Sequence, residues 1–301
     1  MRSSSRARAS FAVVVASALA VSACGSPDDG APNREVPVGS TEQVSEPATK
    51  SLVSSPNAGP AAKALAAAFE GKFADDVGVA ITSVGGTGEV ITLGDQTPRV
   101  AWSTIKVPLS IAALRHSPGD AKIAKTVSTA IINSDNDAAL TLRKSLGTPA
   151  QGQKQMNEVF RAGGDPGTKA VDIKSDEETF GLTVWPLAGA AAFASNLPCT
   201  ADADDVLKWM GDVAGNQDWG LRAMGKPRQV AVKGGWGPAD GGGYEVRQLG
   251  VITHPSGEQT AVTMSTYVPG QTFEAGTATL NKVARWLDAN LKKLPRGRCQ
   301  A

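Results

Sequence analysis

Histidine is almost missing from this sequence of 301 residues, which holds two, His116 and His254. A multi-histidine metal centre, or a serine activated by a histidine base, would need one of them, and neither stands in a motif that carries such chemistry. Cysteine is scarce too. Cys24, Cys199 and Cys299 form no Cys-x-x-Cys, which removes the common zinc and thioredoxin-like patterns. No metal site and no cofactor are expected. An excess of one charge is also lacking: 30 basic residues face 29 acidic ones, for a formal net charge of +1. Nothing in that balance argues for a nucleic acid or an acidic partner. The apolar stretch at residues 11–23 is too short for a permanent bilayer span, which needs about 20 apolar residues. What remains, 41% hydrophobic and 20% charged, is ordinary globular composition with room for one large or two small domains. No internal repeat is visible, and the folded part is expected to act as a monomer.

The N-terminal segment reads as an address rather than as fold. Arg2, Arg6 and Arg8 precede the apolar stretch, the pattern of a secretory signal. The stretch ends Val21-Ser22-Ala23-Cys24, which resembles the lipobox of bacterial lipoproteins. That resemblance implies a signal peptide over 1–23, lipidation (palmitate) at Cys24, and a membrane anchor on the outer face of the bacterial cell membrane. A soluble secreted protein with an incidental Cys24 is the alternative. Residues 24–59 are rich in Pro, Ser, Gly, Asp and Glu without apolar periodicity, so they are expected to form a flexible tether. Export would bring the chain into an oxidising compartment, where Cys199 and Cys299 form a possible disulfide, provided that the fold brings them together.

From residue 60 onward the chain alternates recognisable elements. An alanine-rich helix is expected over 60–73, opened by Pro60. A hairpin of strands 77–82 and 89–93 turns at Gly85-Gly86-Thr87-Gly88. A helix beginning near Ser103 contains Pro108, which predicts a kink or a loosened first turn. Further helices are expected over 121–132, from Asp137 to about 146, and over 150–162, 186–197, 204–213 and 278–294. Residues 165–182 read as a polar, irregular loop. Strands are expected over 229–233, 245–253 and 260–267. This order predicts an α+β fold, an α/β/α sandwich. Both chain ends, within a domain over 60–301, would build one antiparallel sheet around an all-helical insert at about 104–228.

Three motifs follow one another on suitable elements. Ser103 and Lys106 lie one turn apart on a helix start. A serine hydroxyl needs a base to become a nucleophile, and a lysine held neutral by burial or a neighbouring cation can serve. Ser134-Asp135-Asn136 lies between two helices, and Lys233-Gly234-Gly235 ends a strand. Singly these read as a helix cap, a turn and a strand exit. As an ordered set they resemble the serine β-lactamases and penicillin-binding proteins, most nearly the class A β-lactamase type. Residues 77–81, 102–106, 133–139 and 206–210 carry the same resemblance, which spans about residues 60–294. It implies Ser103 as acyl-accepting nucleophile and Lys106 as its base. Ser134 would be a proton relay to the leaving nitrogen, and Asn136 a substrate-orienting amide. Lys233 would supply positive charge for a substrate carboxylate and help keep Lys106 neutral. The backbone N–H groups of Ser103 and Trp236 would form the oxyanion hole, with Gly234, Gly235 and Trp236 lining the substrate.

Three departures from that family are legible. Gly234 replaces a hydroxyl residue that helps hold the substrate carboxylate, a hydrogen bond to a charged group worth about 1.5–3 kcal/mol. Ser134 follows Ser103 by 31 positions, roughly half the family's usual separation. The acidic loop has no Glu-x-x-x-Asn to supply a deacylating base, leaving Asp172, Asp176, Glu177 and Glu178 as candidates. The expectation is a serine hydrolase or acyltransferase acting on an amide, a cell-wall peptide or a β-lactam-like small molecule, with acylation ahead of turnover. A true class A β-lactamase and a catalytically impaired cell-wall-binding or protein-binding module are the alternatives.

Overall fold

The computed structural model describes residues 59–73, 76–86, 89–175, 177–225 and 229–300. The expected signal peptide, tether and lipidated Cys24, and also Asp176, lie outside the described residues. No helix among the described residues is long and apolar enough to cross a membrane.

The chain opens with α1 (Pro60–Glu70), which has Pro60 in its first turn and buries Leu65 and Phe69. Proline suits that position because its missing N–H would have had no helical partner there. Next come β1 (Val77–Ser83) and β2 (Ile91–Gly94). The middle of the chain is helical: α2 (Lys106–His116), α3 (Ala121–Ile132), α4 (Asn136–Ser145), α5 (Pro149–Ala162), α6 (Leu187–Asn196) and α7 (Asp204–Gly211). Then follow β3 (Gln229–Pro238), β4 (Tyr244–Thr253), β5 (Gln259–Thr266) and α8 (Phe273–Ala289). The five strands form one sheet in the order β2-β1-β5-β4-β3, antiparallel at every pairing. Strands from the two ends of the chain thus meet at β1 and β5, as the order of elements predicts, and β3 forms one edge.

One apolar cluster gathers Leu109, Ile131, Leu142, Phe160, Trp185 and Phe193 among the central helices. A second lies between the sheet and the terminal helices, with Leu65, Phe69, Val79, Val262, Val283 and Leu287. The sheet is buried on both faces, so β5 reads as a run of apolar and small residues, while β4 is buried along nearly its whole length with Glu245, Arg247 and Gln248 among its apolar positions.

Several boundaries differ from the sequence-based expectation, three of them at or beside the elements that matter most here. The segment before α2 is a 3-10 helix, Trp102–Ile105, and Lys106 begins the α-helix. Pro108 therefore falls in the first turn of α2, where it breaks no established ladder. β3 does not stop at Lys233 but continues through its glycines to Pro238. α8 starts at Phe273 because the Thr272 hydroxyl accepts the Ala275 N–H as an N-cap, and it ends at Ala289. Cys199 and Cys299 are joined in a disulfide, with Cα atoms 5.2 Å apart.

Candidate active site

The 3-10 turn sets the first pair. In that geometry residues i and i+3 eclipse, so Ser103 and Lys106 stand on one line. Lys106 Nζ lies 3.0 Å from Ser103 Oγ. Two further oxygens surround the amine: the Ser134 carbonyl at 2.6 Å and Asn136 Oδ1 at 2.7 Å. Both can only accept. A neutral amine gives them its two N–H groups and keeps its lone pair for the Ser103 hydroxyl. Lys106 is buried, and that desolvation brings its pKa down to about 7, against a smaller opposing pull from Asp135.

Ser134 connects this lysine to a second. Its Oγ lies 3.4 Å from Lys106 Nζ and accepts from Lys233 Nζ at 2.8 Å. Lys233 comes from β3, is 0% exposed, and also donates to Gln217 Oε1 at 2.6 Å and the Gly234 carbonyl at 2.9 Å. Burial, with the charge of Lys106 as a lesser cause, holds its pKa well below the ordinary lysine value. Lys233 Nζ thus faces Ser134 and Gln217 and is enclosed by protein.

Backbone strain is concentrated at the same place. Among the described residues, the non-glycine residues with positive φ are Trp102 at 47° and Ser134 at 56°. Such conformations cost about 1–3 kcal/mol each and persist where surrounding packing enforces them. One immediately precedes the nucleophile candidate, and the other is the relay candidate. Ser134 sits between the C-cap of α3 at Asn133 and the N-cap of α4, where the Asp135 carboxylate accepts the Ala138 N–H.

The glycines of β3 permit a close approach. A Cβ on Gly235 would lie 2.9 Å from the Ala101 carbonyl oxygen, 2.9 Å from Thr104 N and 3.1 Å from Ser103 N. Real Cβ atoms rarely come so near, so this glycine lets the strand press against the Ser103 turn and brings Trp236 beside it. On the opposite strand face, a Cβ on Gly234 would meet Trp219 Cζ2 at 2.6 Å. The space beside Gly234 is filled by an indole. The Trp102 ring lies over Gly237.

Sequence reasoning missed Gln217. It is fully buried in a short 3-10 turn, and its Oε1 accepts from both Lys233 Nζ and the Gly234 N–H at 3.0 Å. Its Nε2 donates to the carbonyls of Ile131 and Ile132, the last turn of α3 before Ser134. One amide therefore ties the lysine of β3 to the loop that carries Ser134. No motif announces it; the sole signal is a polar residue in the otherwise loop-like run between α7 and β3. Glu245 and Arg247 were missed too. Both are buried on β4 opposite Gly237 and Gly235, and burial raises the Glu245 pKa. Arg247 donates to the carbonyls of Arg99, Val100 and Trp185, bracing the segment that leads into Trp102.

The described carboxylates of the acidic loop are engaged within the loop or with α4. Asp172 is exposed and paired with Lys174, Glu177 is exposed and paired with Lys144 at 2.9 Å, and exposed Glu178 accepts from Lys174 N and Ser175 Oγ. Among the described residues, no group of three or more His, Cys, Asp or Glu is arranged to hold a metal ion.

No family model matches the sequence, and no curated protein does. Solved structures do match. A class A β-lactamase from Mycobacterium abscessus aligns over 77% of this chain and 99% of its own, at 19% identity and a TM-score of 0.61. A β-lactamase from Streptosporangium roseum covers 78% of this chain and 100% of its own, at 19% identity and TM-score 0.60. One from Burkholderia vietnamiensis covers 79% and 99%, at 17% identity and TM-score 0.62. The described chain has the class A β-lactamase fold.

Proposed function

We propose that this chain is an acyl-serine enzyme of the penicillin-recognising type, a hydrolase or acyltransferase on an amide or ester carbonyl, whose acylation outruns its deacylation. The observation that carries the proposal is the setting of Lys106. A buried amine with a pKa of about 7 keeps two acceptor oxygens on its N–H groups, and its remaining side lies 3.0 Å from Ser103 Oγ. In this reading Ser103 Oγ attacks the carbonyl carbon while its proton passes to Lys106. Ser134, bridged between the two lysines, returns a proton to the leaving atom. The backbone of Ser103 and Trp236 receives the developing oxyanion.

Slow deacylation is the reading that the three described carboxylates of the loop support; Asp176 lies outside the described residues. Asp172, Glu177 and Glu178 are exposed and engaged with other partners, so none of them supports the role of water-activating base. Efficient β-lactam turnover is not expected for the same reason. The proposal places the domain outside the cell, held by a lipid on Cys24.

Treating the full chain with a fluorophosphonate probe, followed by peptide mass analysis, tests the core of this reading. A single adduct on Ser103, lost in Ser103→Ala and strongly reduced in Lys106→Ala, is expected. An unlabelled Ser103 in folded protein removes the acyl-serine proposal.

A further inference from the structure

Which acyl donors can reach Ser103 follows from what borders it. In a penicillin-type site the position after the strand lysine offers a hydroxyl toward a substrate carboxylate. Here that position is Gly234, and the adjoining volume holds the Trp219 ring, 2.6 Å from where a Cβ would stand. Trp219 is no isolated filler. It stacks edge-on with Trp236 at 6.3 Å and with Phe273 at 6.2 Å, and Trp236 meets Phe273 at 5.0 Å. Trp236 and Phe273 remain partly exposed, so the cluster offers an apolar wall on that side of β3.

Among the described residues, three neighbouring cations are turned elsewhere. Lys233 is 0% exposed with three acceptors around its Nζ. Arg247 is buried and donates to three backbone carbonyls. Arg222, next along the chain from Trp219 and its 3-10 turn, pairs with Asp218 and reaches the Gly211 carbonyl.

The chain leading into the nucleophile is apolar as well. Ala101 N donates to the Thr183 carbonyl at 2.8 Å, and Val100 pairs with Val184. This pairing brings Leu182 and Val184 alongside that chain, and they are 59% and 51% exposed, the largest exposures among the large hydrophobic residues. A carboxylate moved here from water would lose hydration while Lys233, Arg247 and Arg222 stay engaged with their own partners, and burying an unpaired charge is costly. An uncharged group would instead gain from contact with the aromatic wall.

We infer that the acyl donor of this site is a neutral amide, ester or thioester, with an uncharged apolar group where penicillin-type ligands carry a carboxylate. The inference rests on the acyl-serine reading above and narrows its substrate class. In the covalent step Ser103 Oγ bonds to the acyl carbon and the carbonyl π pair moves to oxygen. As the pair returns, the bond to the leaving N, O or S breaks. The Ser103 proton, taken by Lys106, reaches the leaving atom through Ser134. Water or an amine then accepts the acyl group and Ser103 regains its proton.

A matched pair of substrates tests this with the full chain: phenylacetylglycyl-thioglycolate, which bears a carboxylate beyond the scissile thioester, and its carboxamide. The fluorophosphonate probe titrates Ser103 in parallel. The carboxamide is expected to acylate Ser103 at least about tenfold faster than the acid. The double variant Trp219→Ala/Gly234→Thr, which clears the indole and restores a hydroxyl, is expected to shift that ratio toward the acid by about tenfold or more, the worth of a hydrogen bond to a charged group. Equal or faster acylation by the acid, with fluorophosphonate labelling intact, overturns the substrate class but not the serine chemistry. Failure of the probe and of both thioesters overturns both. A folded double variant with an unchanged ratio also counts against the inference, and the wild-type ratio decides by itself if that variant does not fold.

Discussion

At the residue scale the chemistry turns on two buried amines. Lys106 acts as a base only when neutral, so the acylation rate should rise with pH through an apparent pKa of about 7 and level off above it. Stopped-flow labelling from pH 5.5 to 9 checks this; a rate flat across that range would separate Lys106 from the proton transfer. The same depressed pKa has a consequence for stability. Between about pH 7 and the unfolded value of 10.5, the unfolded chain binds a proton at Lys106 that the folded chain does not. Stability therefore rises with pH across that window, and the full penalty applies below it; Lys233, shifted in the same direction, adds to the trend. Urea midpoints at pH 6.5 and 9 should show the rise, and Lys106→Met should flatten it. Ser103, Lys106, Ser134 and Lys233 were legible in the sequence because short motifs carry them. Gln217 was not, because its role exists only once β3 and the end of α3 have packed together. Gln217→Leu would take from Lys233 Nζ and the Gly234 N–H the buried acceptor that they share. A loss of about 1–3 kcal/mol in unfolding free energy is expected by chemical denaturation, and Gln217→Glu should partly restore stability while moving the acylation pH profile.

At the element scale the sheet was readable from both ends of the chain, since apolar runs with glycine turns mark β1, β2, β4 and β5 at nearly their observed bounds. The continuation of β3 was not. Glycine inside a strand weakens it, so Gly234-Gly235-Trp236-Gly237 reads as a strand exit. The physical reason for these glycines lies in other elements: Gly235 against the backbone of the Ser103 turn, Gly234 against Trp219, Gly237 against Trp102. Pairing with β4 from Gln229 to Pro238 then outweighs the poor strand propensity. The contact at Gly235 is with backbone atoms, which cannot rotate aside as a side chain can. Gly235→Ala should therefore push the Trp102–Ile105 turn away from β3, at a cost of about 1–3 kcal/mol. It should also slow fluorophosphonate labelling of Ser103 more than tenfold while the circular dichroism spectrum stays native. Labelling at the wild-type rate would mean that the position of the turn against the strand is unimportant for reactivity.

At the scale of the whole molecule the chain is closed on itself by its last residues. The segment after α8 runs back across the sheet end: Gly297 pairs with Gln259, the Pro295 carbonyl accepts from Thr260 Oγ1, and Arg298 lies against Gly85. Cys299 then meets Cys199, which follows α6, the helix that packs on β1 and β5. The two cysteines were legible as a possible pair from export and arithmetic alone, but their meeting depends on this return path, which no local pattern reveals. The bridge spans a sequence separation of 100 residues that includes α7, β3, β4, β5 and α8. On a chain-entropy account, closing a loop of that size restricts the unfolded chain by about 4–5 kcal/mol, although measured losses for native disulfides run at about 2–5 kcal/mol. Cys299→Ser, or reduction of the wild type, should thus lower the melting temperature by several degrees. The staple lies at the end of the sheet where the tail returns, and no contact links it to Ser103, Lys106 or Ser134. The reduced protein should therefore label at Ser103 at the oxidised rate at temperatures where it stays folded. Thermal melts with and without reductant, with labelling measured in the same samples, separate the two effects. An unchanged melting temperature would mean that the tail is held by its backbone pairing alone, whereas slowed labelling of folded, reduced protein would show that tension in the tail reaches the Ser103 turn through β5 and β4.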